Sequence, residues 1–216
     1  LVDLWGVTTA TPRVPTADEI KNALTLVDYK KAAVEGDRLI LGEGMSIDLG
    51  GIGKGYAADE AAKVLRQSGI KDGIVDLGGN IVVLGKKKIG IQNPKSGKTG
   101  DYMSIIEVQD CSVVTSGSYE RNFSKDGKTY HHILNPKTGY PSDSGLLSAT
   151  VICESSQDAD AVATILFILG ASDGIAFAEK TGFEAMLIDE GGLIYKTKGL
   201  EIEITNAEFS EVDYAY

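Results

Sequence analysis

Apolar positions along this chain change period repeatedly, from two to about 3.6 and back, without the regular βαβ alternation of a doubly wound sheet. "RLILG" (38–42) and "MSIDLG" (45–50) read as short strands. "DGIVDLGGNIVVLG" (72–85) reads as strand, turn and strand. "KIGIQNP", "MSIIEVQDCSVVTSG" and "LLSATVICES" continue as strands, and "AMLIDEGGLIYKT" as a hairpin turning at Gly191-Gly192. Helical spacing appears over 57–68, where Ala58, Ala61, Ala62 and Leu65 share a face, and again near 157–169 and 172–181. Thr16 stands three residues before Glu19, the capping-box spacing, so a helix begins there. Strand runs broken by few helices predict an α+β fold. The acidic end, "EIEITNAEFSEVDYAY", is expected to form a short strand and then fray.

Composition narrows the partners. With 216 residues, 43% of them hydrophobic, the chain can bury one substantial core or two small ones. A formal net charge of -10 argues against a nucleic-acid partner. The one basic run, Lys86 to Lys88, is expected at a solvated hairpin tip. "LVDLWGVTTATP" lacks the basic start of a signal peptide, and "AVATILFILGA" falls short of the roughly 20 apolar residues that span a bilayer. Cys111 and Cys153 fit no metal or redox motif.

Four stretches carry candidate chemistry. In "IDLGGIGKGYAAD" (47–59), glycines surround Lys54 between an apolar stretch and a helix, an arrangement that offers backbone N–H groups to a phosphate. It is not a Walker A loop, because Lys54 precedes glycine rather than Ser or Thr. The G-x-G-x-G of residues 51–55 does not continue as a Rossmann unit. "VDLGGN" (75–80) echoes Asp48-Leu-Gly-Gly51, and two such turns side by side would floor one ligand. In "DADAVATILFILG" (158–170), Asp160 and Thr164 stand one helical turn apart. They could hold a hard cation such as Mg2+, or favour a helix start and pack inside. In "TSGSYERNF" (115–123), Ser116-Gly117-Ser118 could supply donors to an anion. In "HHILNPKTGYP" (131–141), adjacent histidines on a strand point to opposite faces, so one can enter a site.

Together, and in this order and spacing, the four stretches resemble the ApbE family, the FAD:protein FMN transferases; the resemblance runs from "LVDLWG" almost to the C-terminus. It implies an ApbE-like mixed sheet with packed helices over residues 1–208, followed by an acidic tail at 209–216. The activity it implies is Mg2+-dependent transfer of FMN from FAD to a threonine hydroxyl of a target protein, with release of AMP. The alternatives are a Mg2+-dependent FAD pyrophosphatase and a flavin-binding module without turnover. The acceptor it implies is a membrane redox-complex subunit. The compartment it implies is extracytoplasmic, with the parent protein anchored as a lipoprotein.

Residue by residue, the resemblance places Asp160 and Thr164 at the family's Mg2+ ligands and Gly51 where a backbone carbonyl completes the metal site. Asp48 and Lys54 fall at flavin-nucleotide contacts, and Leu134 where backbone meets FAD. His132 takes the place of the family's functional histidine, as a base or as a hydrogen-bond donor that orients the phosphate. Ser118 and Asn135 stand where the family often has aspartate. Members usually carry roughly a hundred residues before "LVDLWG", so the chain is expected to lack an N-terminal part of the domain.

Overall fold

The capping box forms as its spacing requires. The computed structural model describes residues 1–96, 98 and 100–212. In it, Thr16 Oγ1 accepts from Glu19 N, and the Glu19 carboxylate accepts from Thr16 N at 2.8 Å, opening helix α2 (Ala17–Leu24). Arg13 clamps the same carboxylate with two bonds of 2.9 and 2.8 Å. This element belongs to the first of two units, Leu1–Leu49 with Glu120–Ser142. Its buried centre is Trp5 of the short helix α1 (Val2–Trp5), whose Nε1 donates to Gly139 O at 2.8 Å while Tyr130 and Tyr140 pack on its ring. Gly139 has φ +75°, and a Cβ there would meet Ile20 Cγ2 at 2.5 Å. Glycine is required on both counts. The unit also holds two hairpins, β1 (Ala33–Glu35) with β2 (Arg38–Ile40), and β8 (Asn122–Lys125) with β9 (Lys128–His131).

Arg13 holds the Glu19 carboxyl well below the usual range, at about 2, by hydrogen bonding, and the Thr16 backbone N–H adds to the effect. A folded-state pKa below the unfolded one gives stability that is complete above the unfolded value and is lost as pH falls through the folded value. We therefore expect the stability gap between the wild type and Glu19→Gln to be open at pH 6, to narrow below about pH 4.3, and to close near pH 2. Urea midpoints at three pH values check this. A gap independent of pH would show that the ion pair contributes nothing.

The second unit, Gly50–Tyr119 with Asp143–Tyr216, has three layers. A seven-stranded sheet is ordered β14 (Ser210–Glu211), β12 (Leu193–Lys196), β11 (Glu184–Asp189), β10 (Leu146–Cys153), β7 (Ser112–Gly117), β4 (Asn80–Leu84) and β3 (Gly73–Asp76). All its pairings are antiparallel except β12 with β14. One face packs on a three-stranded sheet of β13 (Glu203–Ile204), β6 (Tyr102–Gln109) and β5 (Lys86–Gln92). Val83, Val113, Ile152, Met186 and Ile188 meet Ile89, Met103 and Ile106 there. The other face carries α3 (Gly53–Gln67), α4 (Ser156–Leu169) and α5 (Ala171–Thr181). Ala58 and Ala62 of α3 pack on Val82 and Leu84, as the small-residue stripe predicts. The α+β expectation holds.

Three local readings need correction. "MSIDLG" forms no strand among the described residues: residues 45–50 are irregular, with Ile47 55% and Leu49 58% exposed. Alternation makes a strand only where a neighbouring strand supplies the ladder. Lys86 to Lys88 form no hairpin tip but lie in β5, an edge strand, with Lys86 paired to Glu107 and Lys87 to Asp72. Lysines there keep an exposed edge from pairing with another chain. Helix α3 starts at Gly53, so the glycines around Lys54 form its first turn rather than a loop. At the acidic end Phe209 is buried and β14 pairs with β12; of the tail expected from 209, residues 213–216 lie outside the described residues.

Candidate functional site

In the second unit Gly51 just precedes α3, Lys54 lies in its first turn, and Asp160, one helical turn before Thr164 on α4, bonds to that turn. Ile52, at the cap position of this helix, offers no side-chain acceptor. A carboxylate from another helix supplies one: Asp160 Oδ2 accepts from Gly55 N at 2.9 Å. The favour is returned at the start of α4. Asp59 of α3 accepts from Ser156 N at 2.9 Å and Gln157 N at 3.0 Å, with Ser155 Oγ donating to it at 3.4 Å. Each helix thus caps the other, and each carboxylate lies against the positive end of its partner. Such contact needs close approach, which Gly55 allows: a Cβ there would stand 2.3 Å from Ser156 O.

Asp160 is 5% exposed and accepts no second side-chain hydrogen bond among the described residues. One turn on, Thr164 Oγ1 lies 3.3 Å from Ser116 Oγ, at the end of β7, and donates to Asp160 O at 3.3 Å. A buried carboxylate and, one helical turn along, two hydroxyls are oxygen donors of the kind Mg2+ accepts while keeping several waters. No group of three or more His, Cys, Asp or Glu side chains stands together among the described residues, so any cation here would lean on hydroxyl, carbonyl and water oxygens. The residues fit the ion.

Lys54 joins the two glycine turns that the sequence echo connects: its Nζ donates to Gly78 O at 3.1 Å. Gly78 and Gly79 have φ of +72° and +88°, so that turn depends on glycine. Gly51 differs. Its φ is not positive, and a Cβ there would meet nothing within 4 Å. Its lack of a side chain is not a demand of the fold.

In the first unit, Asp48 lies exposed in the irregular stretch after β2. Leu134 forms an isolated bridge with Pro141, closing the turn of 135–140, where Asn135 Oδ1 accepts from Lys137 N at 2.9 Å. His132 N and Nδ1 both reach Arg121 O, at 3.1 and 3.2 Å. A carbonyl only accepts, so Nδ1 carries a proton and Nε2 is the basic nitrogen of the neutral ring. His131 does another job. Its Nε2 donates to Ser142 O at 3.0 Å and its Nδ1 accepts from Ile133 N, tying the loop. In the second unit Ser118 Oγ donates to Leu147 O at 3.4 Å, a bond an aspartate could not give.

Sequence reasoning missed Asp59 and Asn80. Asp59 ends the quoted "GYAAD", but only tertiary contact shows what it caps. Asn80 closes "VDLGGN" and is buried without a hydrogen-bond partner. The cysteines stay outside the chemistry, since burial raises both thiols, Cys153 to about 11.

The ApbE family model matches residues 1–187. A Treponema pallidum protein named FAD:protein FMN transferase is 34% identical over 96% of this chain and 64% of its own length. A Klebsiella pneumoniae protein of the same name is 35% identical over 100% of this chain and 68% of its own. Among solved structures, the ApbE protein of Thermotoga maritima superposes with a TM-score of 0.85 at 34% identity, covering 92% of this chain and 67% of that one. The flavin transferase ApbE of Vibrio cholerae gives 0.79 at 31%, covering 91% and 66%. The chain spans about two thirds of the length of these relatives.

Proposed function

Because the chain belongs to the ApbE family, we propose that it carries out Mg2+-dependent transfer of the FMN half of FAD to a threonine hydroxyl of a target protein, with release of AMP. The name its relatives share, FAD:protein FMN transferase, supports flavin transfer. The observation that carries the finer reading is the buried Asp160 carboxylate, one helical turn before the Thr164 hydroxyl, which in turn meets that of Ser116. A carboxylate kept from water without a cationic side chain on it suits a cation that arrives with its ligand.

Bound there, Mg2+ would neutralise pyrophosphate charge and stabilise the AMP leaving group. Asp160 and Thr164, with the Gly51 carbonyl, hold the ion in this proposal. Lys54 orients the pyrophosphate, and the glycines at 50–55 and 78–79 leave room for close backbone approach. Asp48 and Leu134 contribute flavin-nucleotide contacts. The threonine oxygen attacks the phosphorus of the FMN half, the bond to the AMP phosphate breaks, and AMP leaves. The hydroxyl proton passes to a base, for which His132 Nε2 is our candidate. Positioning and charge neutralisation dominate such a transfer.

Incubating the protein with FAD and Mg2+, with and without an acceptor protein, tests this. We expect AMP and covalent flavin in a ratio near one when acceptor is present. AMP without covalent flavin would instead show a pyrophosphatase, and flavin binding without AMP a binding module. The acceptor we propose is a membrane redox-complex subunit, and the compartment of the parent protein extracytoplasmic, with a lipid anchor. Among the described residues no helix is long and apolar enough to cross a membrane. A flavinylated acceptor found in the cytosolic fraction would count against this placement.

A further inference from the structure

Asn80 opens β4 directly after the Gly78-Gly79 turn, and it is 0% exposed. Neither its Oδ1 nor its Nδ2 has a hydrogen-bond partner among the described residues. A side-chain amide carries two donors and an acceptor, and burying it unpaired works against the fold, so its retention calls for a reason. Strand alternation gives its direction. Asn80, Val82 and Leu84 share a face of β4, and the last two pack on Ala58 and Ala62, so Asn80 faces the helices.

Register gives its height. Ser112 Oγ, at the start of β7, donates to Glu154 O just before α4, and Ser116 meets Thr164. Helix α4 therefore runs parallel to β7. Asp160 precedes Thr164 by four residues, about 6 Å along a helix. That matches two residues, about 6.6 Å, along the strand, which places Asp160 level with Val114. The cross-strand partner of Val114 is Asn80. Both α3 and α4 pack over β4. The orphan amide thus lies under the junction where Asp160 meets the first turn of α3.

We infer that Asn80 is a positioning residue for the Asp160 carboxylate, acting through a buried water shared by the amide and the carboxylate. Nδ2 donates to this water, and the water donates to the carboxylate, fixing the rotamer of Asp160 from below. Full burial rules out a direct role on a ligand. The inference rests on the reading of Asp160 and Thr164 as cation ligands, and it explains why a destabilising group is kept at this place. Functional sites often retain such groups at the expense of stability.

The test compares wild type, Asn80→Leu and Asn80→Ser by calorimetric titration of Mg2+ in saturating FAD, with melting curves on the same samples. Leucine matches the volume and removes the orphan amide, so N80L is expected to melt at or above the wild-type temperature while Mg2+ affinity falls at least tenfold. Serine leaves a hydroxyl and room for water, so N80S is expected to recover part of the affinity. Unchanged Mg2+ affinity in N80L would overturn the inference and leave the cation reading standing. Affinity and melting temperature falling together in both variants would also overturn it, by making Asn80 structural. Should N80L fail to fold, wild-type affinity in N80S overturns it and a partial loss at a near-normal melt supports it. A wild type that binds no Mg2+ in saturating FAD overturns the cation reading and this inference with it.

Discussion

Asp160→Asn should lose Mg2+-dependent release of AMP by a factor of at least about 100, on the order of 2.7 kcal/mol of transition-state stabilisation, while the protein still unfolds cooperatively near the wild-type temperature. The variant is chosen from the geometry. Asp160 accepts from Gly55 N and is buried, so Asp160→Ala would also strip the cap from α3, at a cost of about 1–2 kcal/mol. Asparagine keeps an acceptor for Gly55 and removes only the charge. Activity and melting together decide the matter. Wild-type turnover in Asp160→Asn would leave the carboxylate as a cap and nothing more.

Gly51 and Gly55 should respond in opposite ways, although both belong to the same glycine-rich stretch. A Cβ at Gly51 meets open space at an ordinary φ. Gly51→Val should therefore leave stability within about 0.5 kcal/mol and weaken FAD and Mg2+ binding at least tenfold, because the added side chain occupies the backbone approach a phosphate would use. Gly55→Ala drives a methyl into Ser156 O. Overpacking of that kind costs about 1–3 kcal/mol, and here it also pries apart the two capped helix ends. Paired melting and flavin titration separate the two glycines. Equal loss of stability in both variants would mean that the stretch serves the fold alone, and full binding in Gly51→Val would end the phosphate cradle.

Much of the fold was legible because local rules and tertiary packing agreed. The Thr16–Glu19 box, the alanine stripe of α3 and the hairpin at Gly191-Gly192 formed where their patterns placed them. The failures have one cause, the need for a partner distant in sequence. "MSIDLG" alternates like a strand but is irregular, and Lys86 to Lys88 look like a solvated tip until β6 is laid beside them. Within the candidate site, the Asp160–Thr164 spacing was visible, and so was the echo between the two glycine turns that Lys54 bridges. Asp59 and Asn80 were not. A cap supplied across two helices and an amide aimed beneath them leave no periodic trace; they follow from register, which the alternation of β4 and β7 alone does not fix.

The exchange of caps between α3 and α4 also bears on when the site can come into being during folding. Asp160 reaches Gly55 across 105 residues, and Asp59 reaches Ser156 across 97. Closing loops of that length carries a chain-entropy cost that local structure does not repay. The two caps therefore form together, as the helices lock, and with them the place proposed for the cation and the phosphate. A nascent chain that has made α3 but not yet α4 holds half of the proposed site and an uncapped helix, and the same event completes both.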